Sequence, residues 1–284
     1  DMKDLPSIMK HYSAKWLIFT DLDGTLLDRR YDLKAAAAAM DALHQNECLC
    51  VPASSKTHIE MAELNNFRKF PSPFIFENGG GLSWPSATAP ELIGRSAEEI
   101  TDLLDHIRDE HLFTFRLFRD ISAVEIAGRT GLTEQGARKA KARQASMPLI
   151  WTDTQDALER FREILGFIGL QVVSGGLFQT VLDKRCSKAS AMLSIAEQFN
   201  RGEYRPALVA CGDAENDLDM MTLADTAVLF PNKNGQYIPF DHPRLHFAAK
   251  AGHETWLQTL QQMLTLHSDT EAPEQRRTEQ TNVE

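Results

Sequence analysis

The chain has 284 residues, enough for one large domain or for a core with a smaller companion. It is 43% hydrophobic and 25% charged, the balance of a folded globular protein. Its formal net charge of -10 sets aside a general binder of nucleic acid or of acidic membranes, which would be basic.

The first predicted element is WLIFT (16–20), a short buried strand. YDLKAAAAAMDALHQN follows as a helix rich in strong helix formers, stopping near Asn46. CLCVPA (48–53) reads as a second strand, with Pro52 marking its end. SSKTHIEMAELNNFRKF opens a second helix with a serine or threonine to cap it. PFIFENGGGLSW (73–84) supplies a third strand and a glycine-rich turn. This beat of strand and helix implies right-handed parallel crossovers and a sheet covered on both faces.

The beat then breaks. Helical patterns at 97–110, 133–145 and 154–166 alternate with short strand candidates AVEIAG, PLIWTD, LQVVSG and FQTVLD. Such a mixture suggests an inserted α+β domain over 85–185. From 187 the first rhythm resumes, with SKASAMLSIAEQFN as a helix, PALVACGDAENDLDMM as strand, loop and helix start, and TAVLF as a further strand. The expected fold class is therefore α/β, a Rossmann-like core (12–84 and 186–267) with an inserted cap. The polar stretch 268–284 reads as a disordered tail.

Cys48, Cys50, Cys186 and Cys211 fit neither a zinc site nor a redox CxxC, so buried reduced thiols are expected. No apolar run approaches the ~20 residues of a membrane span. No leader-like segment opens the chain, and a cytoplasmic location is the expectation.

Ligands of a parallel α/β sheet gather beyond the carboxyl ends of its strands. Three polar loops follow apolar strands here: Asp21-Leu22-Asp23-Gly24-Thr25, Ser54-Ser55-Lys56-Thr57 and Gly212-Asp213-Ala214-Glu215-Asn216-Asp217. In one sheet they face one crevice. Asp21, Asp23, Asp213 and Asp217 would repel one another there, and a hard cation resolves that conflict. Oxygen ligands without His or Cys favour Mg²⁺. A carboxylate beside such a cation can attack phosphorus, and a second one can protonate the leaving oxygen and then deprotonate water. Gly24 permits the turn and Thr25 can hold it by hydrogen bonds. Ser54 suits a phosphate oxygen at a helix N-terminus. Lys188, at the start of a helix, opposes the macrodipole and is better explained by an anion.

ENGGG (77–81) is either a hinge into the insert or a substrate contact through Glu77, Asn78 or the glycine amides. RKAKAR (138–143) is either a solvated helix face or part of a lid that meets an anion. The nine histidines show no metal-ligand spacing.

The DLDGT loop, Ser54, Lys188 and GDAENDLDM together resemble the four motifs of the haloacid dehalogenase superfamily of phosphohydrolases, and the insert resembles its type IIB cap. Within that branch SSKT (54–57), ENGG (77–80) and GLTEQGARKAKARQASMPLIW (131–151) are most similar to mannosyl-3-phosphoglycerate phosphatases. Gln144 stands where that cap run has Glu, and LFQT (177–180) is less basic and aromatic than the family's cap strand. The resemblance implies that Asp21 is nucleophile and metal ligand. It makes Asp23 the acid/base, with its backbone carbonyl on the metal. Ser54 and Lys188 would bind the phosphoryl group, with Thr25, Ser55, Lys56 and Asn216 beside them. Asp213 and Asp217 complete the Mg²⁺ site. Glu77, Asn78, Gly79 and Arg143 are the substrate candidates toward the cap. The implied partner is a small phosphorylated sugar-glycerate, hydrolysed to mannosylglycerate and phosphate. Another type IIB substrate, or a non-catalytic phosphometabolite sensor on the same fold, are the competing readings.

Overall fold

A computed structural model describes residues 14–85, 87–175, 178–200 and 204–269. The core begins with β1 (Trp16–Thr20), α1 (Leu33–Ala42), β2 (Cys48–Pro52) and α2 (His58–Asn66). β3 (Phe74–Phe76), β4 (Gly81–Ser83) and β5 (Glu91–Leu92) form a small antiparallel sheet. The cap follows with α3 (Ala97–His111), β6 (Phe115–Leu117), α4 (Ala123–Thr130), α5 (Glu134–Ala140), β7 (Ser146–Trp151), α6 (Gln155–Phe167), β8 (Leu170–Gly175) and β9 (Phe178–Asp183). The core resumes with α7 (Lys188–Glu197), β10 (Ala207–Gly212), α8 (Leu218–Leu223), β11 (Thr226–Leu229), β12 (Leu245–Phe247) and α9 (His253–Asp269).

The core sheet runs β12-β11-β10-β1-β2 with every pair parallel. Alternation along its strands feeds two apolar layers. Ile18, Cys50, Val209, Cys211 and Val228 face α1, α2 and α9. Leu17, Phe19, Val51, Leu208 and Ala210 face α7 and α8. A parallel sheet must be covered on both faces, and here it is. The cap is a four-stranded antiparallel sheet, β6-β7-β9-β8, whose apolar side joins Ile100, Leu104, Phe161 and Leu165 of its helices in one cluster. All four cysteines are buried, with burial pushing the Cys50 thiol up to about 12. No helix among the described residues is long and apolar enough to cross a membrane.

Several expectations need correction. AVEIAG (123–128) is not a strand but most of α4. Ser122 accepts a hydrogen bond from Glu125 N at its start, Gly131 closes it in the left-handed region, and Ile126 alone is buried. The helix expected over 133–145 stops at Ala140, and the chain extends into β7 by residue 146. The third strand touches the parallel sheet only through an Ala53–Ile75 bridge and pairs instead with β4. It has three residues before a left-handed turn ends it. α9 continues to Asp269, into the stretch expected to be tail. The rest of that tail, residues 270–284, lies outside the described residues, as does residue 177 of LFQT.

Fully buried Trp256 locks α9 onto this scaffold, its indole Nε1 donating to Thr20 Oγ1 at 2.9 Å, one residue before Asp21. Trp256→Ala leaves a large cavity and strips that hydroxyl of a donor. A loss of about 3–5 kcal/mol is expected in urea unfolding, and a loss below about 1 kcal/mol would contradict the wedge role.

Candidate active site

β1 aims the first acidic loop. Asp21 N donates to Cys211 O at 2.9 Å, carrying the β1–β10 ladder one residue past the strand and setting Asp21 at the sheet's carboxyl edge. Leu22 turns back into the core at 1% exposure, so the aspartates on either side of it part company. Asp21 is buried, whereas the Asp23 side chain is half exposed. Gly24 has φ +89°, and a Cβ there would stand 2.5 Å from Asp213 Oδ2. Only glycine both turns this way and lets the two acidic loops meet.

β10 aims the second loop. Asp213 N and Ala214 N both donate to Asp217 Oδ2 at 3.1 Å, so Asp217, fully buried, folds its own loop. α7 then delivers Lys188 as its first residue. The Nζ lies 2.6 Å from Asp21 Oδ1 and 2.6 Å from Asp217 Oδ1, at 1% exposure. One oxygen from each of Asp21, Asp213 and Asp217 falls within 4.8 Å of the others.

Three carboxylates around one ammonium leave a deficit of positive charge. Burial holds the Asp21 carboxyl well above the usual range; Lys188 pulls it down, and Asp217 and Asp213 push it up. Burial first, and Asp217 second, push Asp213 up to about 6. Burial works against the Lys188 charge, but Asp21 and Asp217 outweigh it and hold the ammonium above the ordinary lysine range. The cluster favours any bound cation. Its donors are all oxygen, which suits a hard ion such as Mg²⁺. Asp217 has both oxygens engaged, on Lys188 and on two amides, so Asp21 and Asp213 are the side chains with oxygen to offer.

The other sequence candidates divide. Thr25 is buried with its hydroxyl 3.4 Å from Asp213 Oδ1. Ser54 is buried beyond β2; its hydroxyl accepts from Lys56 N at 3.3 Å and its carbonyl from Asn78 N at 2.9 Å. The cap of α2 is Thr57, in a capping box with Glu60. Lys56 turns to Asp23, Nζ to Oδ2 2.9 Å, and lies over the Tyr31 ring, so the Asp23 carboxylate stands apart from the three-carboxylate cluster. Asn216 Nδ2 donates to Asn78 Oδ1 at 3.0 Å.

A cleft of about 400 Å³ opens between core and cap. Ser55, Asn78, Asp213 and Asn216 line its core side. Arg143, Phe118, Phe178 and Thr180 line its cap side. Arg143 Nη1 donates to Ser55 O at 2.9 Å, spanning the two. Glu77 does not reach the cleft: it is fully buried, and its carboxylate is taken up by the cap. Gly79 is likewise buried away from it. The sequence reading missed Phe118, which follows a three-residue strand with no motif around it. It also missed Asn232, which lines the cleft just past β11. That position was legible, because it too follows the carboxyl end of a parallel strand.

Residues 138–238 match the family profile described as haloacid dehalogenase-like hydrolase. Among solved structures, Thermoplasma acidophilum 0175 is similar at TM-score 0.64 and 17% identity, over 89% of this chain and 99% of that one. BT1666 from Bacteroides thetaiotaomicron, described among phosphatases of the haloalkanoate superfamily, is similar at TM-score 0.63 and 17% identity, over 94% of this chain and 100% of that one. The sucrose-phosphatase of Synechocystis sp. PCC6803, solved with sucrose and phosphate, is similar at TM-score 0.56 and 14% identity, over 90% of this chain and 98% of that one. At these identities the shared feature is the fold. That fold, together with the match over residues 138–238, makes the chain similar to haloacid dehalogenase-like hydrolases, and it places the all-oxygen acidic site at the carboxyl edge of the parallel sheet.

Proposed function

We propose that the chain is a Mg²⁺-dependent phosphatase that hydrolyses a phosphate monoester through an aspartyl phosphate on Asp21, with mannosyl-3-phosphoglycerate as its substrate. The observation that carries the chemistry is the cluster of buried Asp21 and Asp217 on Lys188 with half-buried Asp213 beside them, at the carboxyl ends of adjacent parallel strands. The substrate reading rests on the resemblance of residues 131–151, 54–57 and 77–80, and on a cleft that offers one guanidinium, three amide side chains and two phenyl rings.

An Asp21 oxygen attacks phosphorus as the bond to the leaving sugar-glycerate oxygen breaks, and Asp23 gives that oxygen a proton. Water then gives a proton to Asp23 while its oxygen attacks phosphorus, and the bond to Asp21 breaks to release phosphate. Lys188 and Ser54 hold the phosphoryl oxygens. Asp21, Asp213 and the Asp23 carbonyl are the groups that would hold Mg²⁺, which when bound offsets repulsion between the nucleophile and a dianionic phosphate. The cap shields the cleft from bulk water while the intermediate exists.

Two tests follow. In the first, phosphate release is measured across mannosyl-3-phosphoglycerate, glucosyl-3-phosphoglycerate, sucrose phosphate and simple hexose phosphates. Fastest turnover of the mannosyl compound is expected; a preference for another ester keeps the chemistry and replaces the substrate. Asp21→Asn should lose at least about a thousandfold in kcat, and a variant as active as wild type would end the covalent route.

The second is thermodynamic. Asp213 sits near pKa 6 in the folded protein against 3.8 ordinarily, so the metal-free folded state keeps a proton that the unfolded chain has lost. Stability of the chelated protein therefore falls as pH rises from about 4 to 6 and levels beyond. Melting should show this slope in wild type and a shallower one in Asp213→Asn. Added Mg²⁺ should raise the wild-type Tm more at pH 7 than at pH 5. A chelated wild type that melts identically to Asp213→Asn at every pH, with no response to Mg²⁺, would count against the site.

A further inference from the structure

The turn after β3 makes an unusual demand on its backbone. Glu77, Asn78 and Gly79 have φ of +49°, +56° and +86°, three successive residues in the left-handed region. Non-glycine residues hold that conformation only where their surroundings require it. The surroundings do so on every side. Glu77 N donates to Lys56 O at 2.8 Å, and Asn78 N to Ser54 O at 2.9 Å. A Cβ on Gly79 would stand 2.0 Å from the Ser187 carbonyl oxygen, at the cap of α7 and beside Lys188.

The turn sends its side chains in different directions. Asn78 goes to the catalytic side, accepting from Asn216 and lining the cleft. Glu77 goes to the cap. Its Oε1 accepts from Gln144 N at 2.8 Å, and its Oε2 accepts from Ala145 N at 2.9 Å and from Ser146 Oγ at 2.6 Å. Gln144 O in turn accepts from Ala97 N, the first residue of α3. Glu77 has no exposed surface. Other polar links between this cap edge and the core are fewer per residue: Lys139 with Glu63 and Arg143 with Ser55 O, both partly exposed, and a single bond from Thr57 Oγ1 to Lys139 O at 2.9 Å. Charge-assisted bonds from a buried carboxylate outweigh such rim contacts.

We propose that Glu77 is a positioning residue that sets the register between cap and core. It holds residues 144–146 against the catalytic turn and thereby points the adjacent Arg143 at the cleft. It touches no substrate. Its consequence is specificity: an ester large enough to meet Arg143 depends on the latch, whereas a minimal phosphate ester needs only the core. The same turn that seats Asn78 beside Asn216 seats the cap, so cap register and the catalytic loop are set together.

The specificity arm rests on the phosphatase reading above, so the experiment has a second arm that does not. Glu77→Gln places an amide NH₂ or a lone oxygen before donors that need a carboxylate. In the metal-free protein, amide hydrogen exchange at Gln144 and Ala145 should accelerate by about tenfold or more, while the amides of β1 and β10 hold their protection. In the assay, kcat/KM for the best sugar-glycerate phosphate should fall by about tenfold or more and that for p-nitrophenyl phosphate by less than about threefold. Ser146→Ala removes one of the bonds without disturbing the turn and should show the same split, smaller; it decides the matter if Glu77→Gln does not fold. Equal losses on both substrates, or unchanged exchange at 144 and 145, would overturn the proposal. A wild type that hydrolyses no phosphate ester would refute the activity and leave the exchange arm to judge the latch.

Discussion

One buried ammonium organises this molecule. Lys188 stands between Asp21 and Asp217, 2.6 Å from each, with almost no exposure to water. Removing an ion from water costs several kcal/mol, so the arrangement persists only because surrounding structure enforces it. The parallel sheet does that enforcing. β1 and β10 lie side by side in register, and the residues that follow them are carboxylates. A third of the contact, the lysine, arrives 167 residues after its partner Asp21. Between them the chain adds β2 to the sheet's edge, builds the cap and returns with Lys188 at the first turn of α7. The return path is held by Asp183, which is buried and accepts from Arg185 and Arg95, joining the two segments that lead into and out of the cap.

The ammonium does not balance the charge. Three carboxylates cluster beside it, and burial raises the Asp21 and Asp213 carboxyls above their ordinary range. A protein gains nothing in stability from such a cluster without a further cation, and uncompensated buried charge is retained where chemistry uses it. That separates this acidic site from the exposed ion pairs on the cap surface, such as Arg116 of β6 with Glu125 of α4, which are solvated and worth little.

The acidic cluster was legible because its signals are local. DLDGT and GDAEND each follow an apolar strand, and a strand that ends in charge announces a carboxyl-edge site before any coordinate is known. Lys188 was legible for a similar reason, as a cation placed where a helix dipole disfavours it. The division into a parallel core and a mixed insert showed in the spacing of apolar runs. What failed was short or context-bound. AVEIAG is too brief for periodicity to separate strand from helix, and its fate turned on the Ser122 cap. FIF reads as a buried strand, but the left-handed turn beyond it diverts it from the main sheet. Glu77 beside a glycine run looked like a ligand contact; its partners lie 67 to 69 residues on, and no local pattern reveals them.

This contrast has a physical cause. The proposed phosphoryl chemistry asks for a few groups at fixed separations, and adjacent strands bring such groups together through backbone hydrogen bonds that any sequence of the fold makes. Recognition of the remainder of a substrate depends on how a separate sheet is seated against those strands. That seating is set by contacts distant in sequence, some of them backbone amides such as those of Gln144 and Ala145, whose identity the side chain does not encode. A change from Glu to Gln at 144 therefore leaves the amide that meets Glu77 untouched, and the cap can keep its register while the side chains facing the cleft vary. The acidic loops and cap register can be held constant while Arg143, Phe118, Phe178 and Thr180 change what the cleft accepts.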